Sequence, residues 1–396
     1  EKCTDQGQRS ENFYQFFDSW QLHPIKNKEE LRSVYEAILG DLSADAGWAY
    51  DRKRIARYKN RQGTINIYTM KTIFDGLPSL YQFMDDYEKN EDEVAVLKSL
   101  ETSKNDEFKV KNVNNVRVLK LGKIAIAKQG LIPPSTRDYY RTASGVKGGA
   151  VKGNYIEVDE DLALTSEEGL LLSDDEKEDG ILINDPYHEK YFVPLDKAGS
   201  SDIRGKSLSQ YYRPIEFYVN WSKEAVKEMK ISKKGRFQGS SYYFKKGLSY
   251  SDTGIYSPTF RLSHGGVFDQ KGSCIFSDYF STEFLLGVLN SKLIKYFVKV
   301  FINHSVSSQV DSIKEIPIAI PTNNQRTRIE SVVRKIIDSQ KLNHSYDYYN
   351  NQIELDELIY ELYNLNDMQK SEVRDWYDRR YPKLRRDIDT SLVEEY

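Results

Sequence analysis

Cysteine is nearly absent: only Cys3 and Cys274 occur in 396 residues, so neither a disulfide framework nor a thiolate metal cage can be built. Histidine is almost as scarce, and its five copies are scattered without a close pair, which argues against a zinc site. No run approaches the roughly 18 uninterrupted apolar residues that a membrane span needs. The first ten residues, EKCTDQGQRS, bring neither the basic nor the apolar region of a signal peptide. These absences make the cytoplasm the expected location and point to no membrane partner. The sequence also lacks a P-loop, a Ser/His/Asp set and the paired carboxylates of a glycosidase. It begins at Glu rather than Met, which suggests a fragment or a processed product. What is present suffices for two or three domains with real cores, since 39% of the residues are hydrophobic.

The formal charge of −3 argues at first sight against a nucleic-acid partner, but the charge is unevenly spread. Residues 157–179 hold eleven carboxylates and one lysine, which leaves 56 basic against 49 acidic residues elsewhere. Between Lys190 and Arg261 there are fourteen Lys and Arg against six Asp and Glu. Such a stretch suits neutralisation of phosphates, or is an ordinary solvated surface. Tyrosine is abundant, with 29 copies, many of them among lysines as in SLSQYYRP and SSYYFKKGLSYS. The phenols could stack on bases or bond phosphates; equally, they could pack half-buried strands.

The first hundred residues read as mainly helical, with Leu31, Val34, Tyr35, Ile38 and Leu39 spaced for one face, followed by the basic patch DRKRIARYKNRQG. From about Asp106 the texture changes. VRVLKLGKIAIAKQG alternates apolar and polar residues and predicts one or two strands. The Gly-, Pro- and Ser-rich loop that follows carries Arg137, Arg141, Lys147 and Lys152, so it could wrap a ligand or be mobile. Further strands are expected at ILIND, YFVPL, IEFYVNW, SYYFKKG, TFRLS and GVFDQKGSCIF, which makes the centre a mixed, mostly antiparallel β domain. Trp221, Phe244 and Phe268 are expected in its core. A helix is predicted over STEFLLGVLNSKLIKYFVKVFI, capped by Ser281 or Thr282. Leu286, Leu293, Ile294, Phe297 and Phe301 fall on one side of it, and Lys292, Lys295 and Lys299 on the other. That lysine face could lie beside a polyanion or simply be solvated. IKEIPIAIP returns as a strand with Pro317 at an edge. From Asn323 to about Asn364 the apolar periodicity predicts one or two long helices, packed as a hairpin or against a partner.

Two motifs come near to catalytic chemistry. Asn184-Asp185-Pro186-Tyr187 approaches the Asn/Asp-Pro-Pro-aromatic loop that holds a flipped base, but misses its second position, and no glycine-rich cofactor turn precedes it. Asp92 with Glu107 and Lys109 has the composition of a nuclease metal site, a triplet that chance supplies in any lysine-rich chain.

Order and spacing across the centre carry more. The stretch from YFVPLDKAG to VNWSKEAVKEM, the Leu289-Asn290-Ser291 helix, the Gln309-Val310-x-x-Ile313-x-x-Ile316-Pro317 strand and the final IELDELIYELYNLND helix resemble the target-recognition region of large bacterial adenine-specific DNA methyltransferases. These are the single-chain type IIG restriction-modification enzymes and the methyltransferase of BREX phage-defence systems. The match runs from about Asn115 to Asp367, and it departs at Lys197-Ala198-Gly199, where Lys-Gly-Gly is usual. The resemblance implies a methyltransferase catalytic domain preceding this portion or on another chain, with S-adenosylmethionine bound there and no cofactor in this chain. It implies double-stranded DNA as partner, a β domain lying against a groove and later helices bracing it. Residues with chemistry suited to DNA contact are Lys197, Arg204, Lys206, Lys245, Lys246, Ser251, Arg261, His304, Ser305 and Gln309. Arg suits guanine and Gln adenine, while Lys more often grips phosphate.

The expectation is therefore an α+β chain: a helical segment over 1–105, a DNA target-recognition domain over 106–321 and a helical domain over 322–396, without a complete catalytic site. Two alternatives remain open. One is an intact S-adenosylmethionine-dependent methyltransferase with a divergent Asn184–Tyr187 loop; the other is a protein-interaction module of a defence complex.

Overall fold

The computed structural model describes residues 80, 83–84, 87, 93–95, 108–113, 115–146, 155–183, 189–197, 209–251, 256–303 and 308–381. The helix expected around Leu31–Leu39 and the basic patch that follows it lie outside these residues. Strands β1 (Glu93–Ala95), β2 (Phe108–Val113) and β3 (Val116–Lys120) lead through a helical turn, α1 (Leu121–Ile124), to β4 (Ile126–Lys128) and β5 (Leu131–Ile132). Next come α2 (Thr136–Tyr139), β6 (Tyr140–Thr142), β7 (Ile156–Glu157), α3 (Ser166–Leu171), α4 (Asp174–Asp179), β8 (Phe192–Asp196) and β9 (Phe217–Asn220). They are followed by α5 (Lys223–Ile231), β10 (Arg236–Phe237), β11 (Leu248–Tyr250), β12 (Phe260–Leu262), β13 (Val267–Phe268) and β14 (Cys274–Phe276). The chain closes with α6 (Thr282–Asn290), α7 (Lys292–Phe297), α8 (Val310–Lys314), β15 (Pro317–Ala319), α9 (Asn323–Leu342), α10 (Tyr349–Leu362) and α11 (Asp367–Arg380). This is an α+β fold. Among the described residues no helix is long and apolar enough to cross a membrane.

The strands form sheets in the orders β1-β2-β3-β15, β12-β11-β14-β4, β13-β8-β9-β6-β7 and β10-β5. Only the β13–β8 and β6–β7 strand pairs run parallel among the described residues. Pro317 stands on an edge strand, where its missing N–H costs no ladder bond. Two cores result. The larger joins β3, α6, α7 and α9–α11, and the smaller gathers Trp221, Phe244, Val193, Val219, Met229 and Phe268 around the five-stranded sheet. Each such fully buried side chain is worth about 1.5 to 3 kcal/mol. The β12-β11-β14-β4 sheet separates them. Leu248, Tyr250, Phe260 and Ile275 face the larger core, while Cys274 and Phe276 face the smaller, as the two-residue period of a strand requires.

Local rules explain the helix ends. Thr322 and Gln325 make a reciprocal capping box on α9, and Ser281, Ser291 and Ser222 cap α6, α7 and α5. The single long helix expected from Ser281 is in fact broken at Ser291 and ends in a π turn over Val298–Ile302. Asn290 uses the break. Its amide accepts from Phe260 N at 3.0 Å and donates to Phe260 O at 2.8 Å, completing the backbone pairing of β12 as a neighbouring strand would. Gln210 adds a third bond to the same amide oxygen at 3.0 Å.

Three further expectations are corrected. SYYFKKG is not a strand: Ser240–Tyr242 is a 3-10 turn, Tyr243 and Phe244 are drawn into the aromatic core beside Trp221, and pairing begins only at Leu248. Of ILIND, the described residues 181–183 give one bridge, Ile181 to Ser222. The lysine face of α7 is not a surface, because α11 and α10 cover it: Lys295 and Lys299 are buried and the Lys292 ammonium lies 4.8 Å from the centre of the Tyr377 ring.

Candidate nucleic-acid interface

Of the residues singled out for DNA contact, Lys147, Lys152, Arg204, Lys206, His304 and Ser305 lie outside the described residues, as do Asn184–Tyr187, Asp92 and Glu107. The others divide sharply by burial. Lys245, Lys246, Arg137 and Gln309 are exposed. Arg141 is half-buried and occupied at home: its guanidinium donates to the carbonyls of Tyr140 at 2.8 Å and Asp138 at 3.0 Å, and stacks over Phe192. Lys197 is also half-buried, with its ammonium 5.6 Å from the Phe217 ring centre and 5.9 Å from that of Tyr155.

Arg261 and Ser251 are corrections. Arg261 is 1% exposed and Ser251 3%, so neither can reach a base edge from where it stands. Alternation is the cause for Arg261. In β12 it points away from Phe260, and its register partner Ser249 stands opposite Cys274, so the three form a row on the face turned to the smaller core. There the Arg261 guanidinium donates to the Lys197 carbonyl at 2.8 Å. Arg213, paired with Glu216 at 2.9 Å, approaches the same oxygen at 3.5 Å. Burial first, and Arg213 second, push the Arg261 pKa down to about 10. Asp196 accepts from the His264 backbone N–H at 2.8 Å, and burial lowers the His264 pKa. The cluster thus anchors the end of β8. Among the described residues no group of three or more His, Cys, Asp or Glu side chains is placed to hold a metal ion.

The exposed pair Lys245–Lys246 belongs to a turn built from the smaller core outward. Gly239 takes φ +65°, and a Cβ there would meet Gln129 O at 2.8 Å and Lys128 Cβ at 3.2 Å, so the turn lies directly on the end of β4. Tyr242 packs on Phe276, with ring centres 4.9 Å apart, and the Lys245 ammonium stands 5.0 Å over the Tyr242 ring. Gly247 is equally constrained, since a Cβ would fall 2.5 Å from Ile275 O. Backbone proximity, rather than side-chain packing alone, therefore holds both ends of the turn. Arg236 pairs with Ile132 through β10 and β5, and Lys233, Lys234 and Lys128 are exposed nearby. None of these four was singled out from the sequence. The available signal was the run from Ser232 to Ser251, with five cations and no carboxylate.

The acidic stretch forms the opposite kind of surface. Helices α3 and α4, each opened by a capping box, present Glu167, Asp174, Asp175, Glu178 and Asp179 to solvent. Trp221 Nε1 donates to Glu176 O at 3.0 Å, and Lys230 pairs with Asp179 at 2.8 Å, fixing α4 against α5. Lysines on that side of α5 are thereby partly neutralised, whereas the turn beyond it is not. No protein-family model matches the chain, and no curated protein is significantly similar to it.

Proposed function

We propose that this chain reads DNA sequence for an adenine-specific DNA methyltransferase of a bacterial restriction-modification or phage-defence system, in the cytoplasm, and carries no complete catalytic site. The observation that supports it best is the exposure of Lys245 and Lys246, with no carboxylate partner among the described residues, on a turn braced by an aromatic β core. Phosphate contacts position such a module and base contacts give it specificity. Exposed Gln309 and Arg137 are the described side chains best suited to base edges, and the buried Arg261 is assigned to holding Lys197. S-adenosylmethionine belongs to a catalytic domain in cis or on another chain, with double-stranded DNA shared between them.

Selection of duplexes from a randomised pool by the purified chain, at two salt concentrations, tests the reading. Enrichment of a motif several base pairs long is the expected result. Salt-sensitive binding without enrichment would reduce the chain to a phosphate-gripping accessory, and absence of binding at low salt would favour a protein-interaction module. Saturable binding of S-adenosylmethionine to this chain would point to an intact enzyme instead.

A further inference from the structure

We infer that the Gly239 turn, with Lys128, Lys233, Lys234, Arg236, Lys245 and Lys246, is a clamp for consecutive backbone phosphates of one DNA strand and takes no part in reading bases. The inference rests on the proposed DNA-reading role and assigns one surface within it. These six cations come from three separate stretches of chain: the end of β4, the approach to and first residue of β10, and the approach to β11. All six are exposed, and none has a carboxylate within ion-pair distance among the described residues. Elsewhere exposed Lys230 is matched by Asp179, Arg328 by Glu361 and Arg374 by Glu357, and half-buried Lys190 by Glu168. Keeping like charges together without counter-charge costs stability through self-repulsion, a cost that a bound polyanion would remove.

The turn suits phosphate better than bases for two reasons. Lysines supply four of the last five cations in chain order, and a lysine ammonium is a compact point charge without the planar fork that distinguishes guanine. The backbone around Gly239 and Gly247 is also pressed against β4 and β14, so the cations sit on a fixed base rather than on a loop able to enter a groove. Ile126, 45% exposed, lies on the same face of β4 as Lys128 and offers an apolar neighbour for the sugars.

The test is the dependence of duplex affinity on salt for the full chain and for Lys233→Gln/Lys234→Gln/Arg236→Gln, using the pool-selected duplex and a scrambled one. Loss of three phosphate contacts should lower the slope of log K against log salt by about 2 to 3. Affinity should fall equally on both duplexes, leaving their ratio unchanged. Lys128→Gln alone should lower the slope by about 0.9, whereas Lys335→Gln on α9 should leave it as it is. Thermal unfolding of each variant checks that the fold persists, as exposed positions lead one to expect. An unchanged slope with DNA binding intact overturns the clamp while leaving the DNA-reading role standing. A change confined to the selected duplex would make these residues base readers and also overturns it. Tighter, equally salt-dependent binding of duplex RNA would reject the DNA assignment, and a parent chain that binds no duplex rejects both readings together.

Discussion

Lys295 shows how a single residue can be misjudged from periodicity and what its burial then costs. Its ammonium donates to the Asn290 carbonyl inside the larger core, with Asp356 and Lys292 as charged neighbours. Burial pushes its pKa down from the usual 10.5 to about 7, and raises that of Asp356. In the unfolded chain the lysine keeps its proton up to the ordinary value, so between these two pH values the unfolded state binds more protons than the folded one. Stability contributed at this site therefore rises with pH across that window, by at most about 1.4 kcal/mol per pH unit. Lys295→Met removes the titration while roughly conserving volume. Urea unfolding at pH 7 and pH 9 should show the parent gaining on the order of 1 to 2 kcal/mol more than the variant. Parallel changes in both proteins would mean that Lys295 stays charged in the fold.

At the scale of elements, the contact between α6 and α9 depends on the absence of a side chain. Gly287 lies in the middle of α6, where a Cβ would stand 2.6 Å from Ile329 Cγ2 and 3.2 Å from Val333 Cγ2, with Leu355 Cδ1 at 3.3 Å. Helix propensity alone favours alanine there by about 1 kcal/mol. Overpacking of a closed core opposes it with about 1 to 3 kcal/mol. Gly287→Ala should therefore destabilise the chain, and Ile329→Ala in the same background should restore less than it costs alone, as coupled neighbours do. A Gly287→Ala protein that melts above the parent would show that the helices can separate without penalty. The same helix pair illustrates what periodicity conveys. Ile329, Val332, Val333, Ile336 and Ile337 are buried along α9 as their spacing predicts, and α10 packs beside them.

The whole molecule is electrically divided. Residues 157–179 gather eleven carboxylates around α3 and α4, and the cations of the Gly239 turn follow the end of α5, where Lys230 pairs with Asp179 and lies 6.0 Å from the Phe237 ring centre. A polyanion approaching such a field is drawn to one surface and turned away from the other. Under the DNA-reading proposal the acidic lobe orients the duplex rather than binding it. Glu157→Gln/Glu160→Gln/Glu178→Gln should quicken duplex association severalfold at low salt and leave dissociation nearly unchanged. The difference should fade as the screening length shrinks toward about 3 Å near 1 M salt. Stopped-flow measurements that show faster dissociation instead would place these carboxylates at the contact itself.

The α+β class, the buried Trp221, Phe244 and Phe268, the edge position of Pro317 and the helices after Asn323 followed from the sequence, because alternation, period and proline chemistry act over a few residues. The charge imbalance was equally plain. What the sequence could not determine was which cations meet water. Lys245 and Lys295 both sit among apolar neighbours in lysine-rich stretches, yet one tops a turn pinned by Gly239 and Gly247 while α10 and α11 close over the other. Arg261 was placed by alternation on the face opposite Phe260, and only the packing of the second core against that face turned an apparent base reader into a buried anchor for the Lys197 carbonyl. Exposure is decided by elements distant in the chain, so the candidate interface emerged only from their tertiary packing.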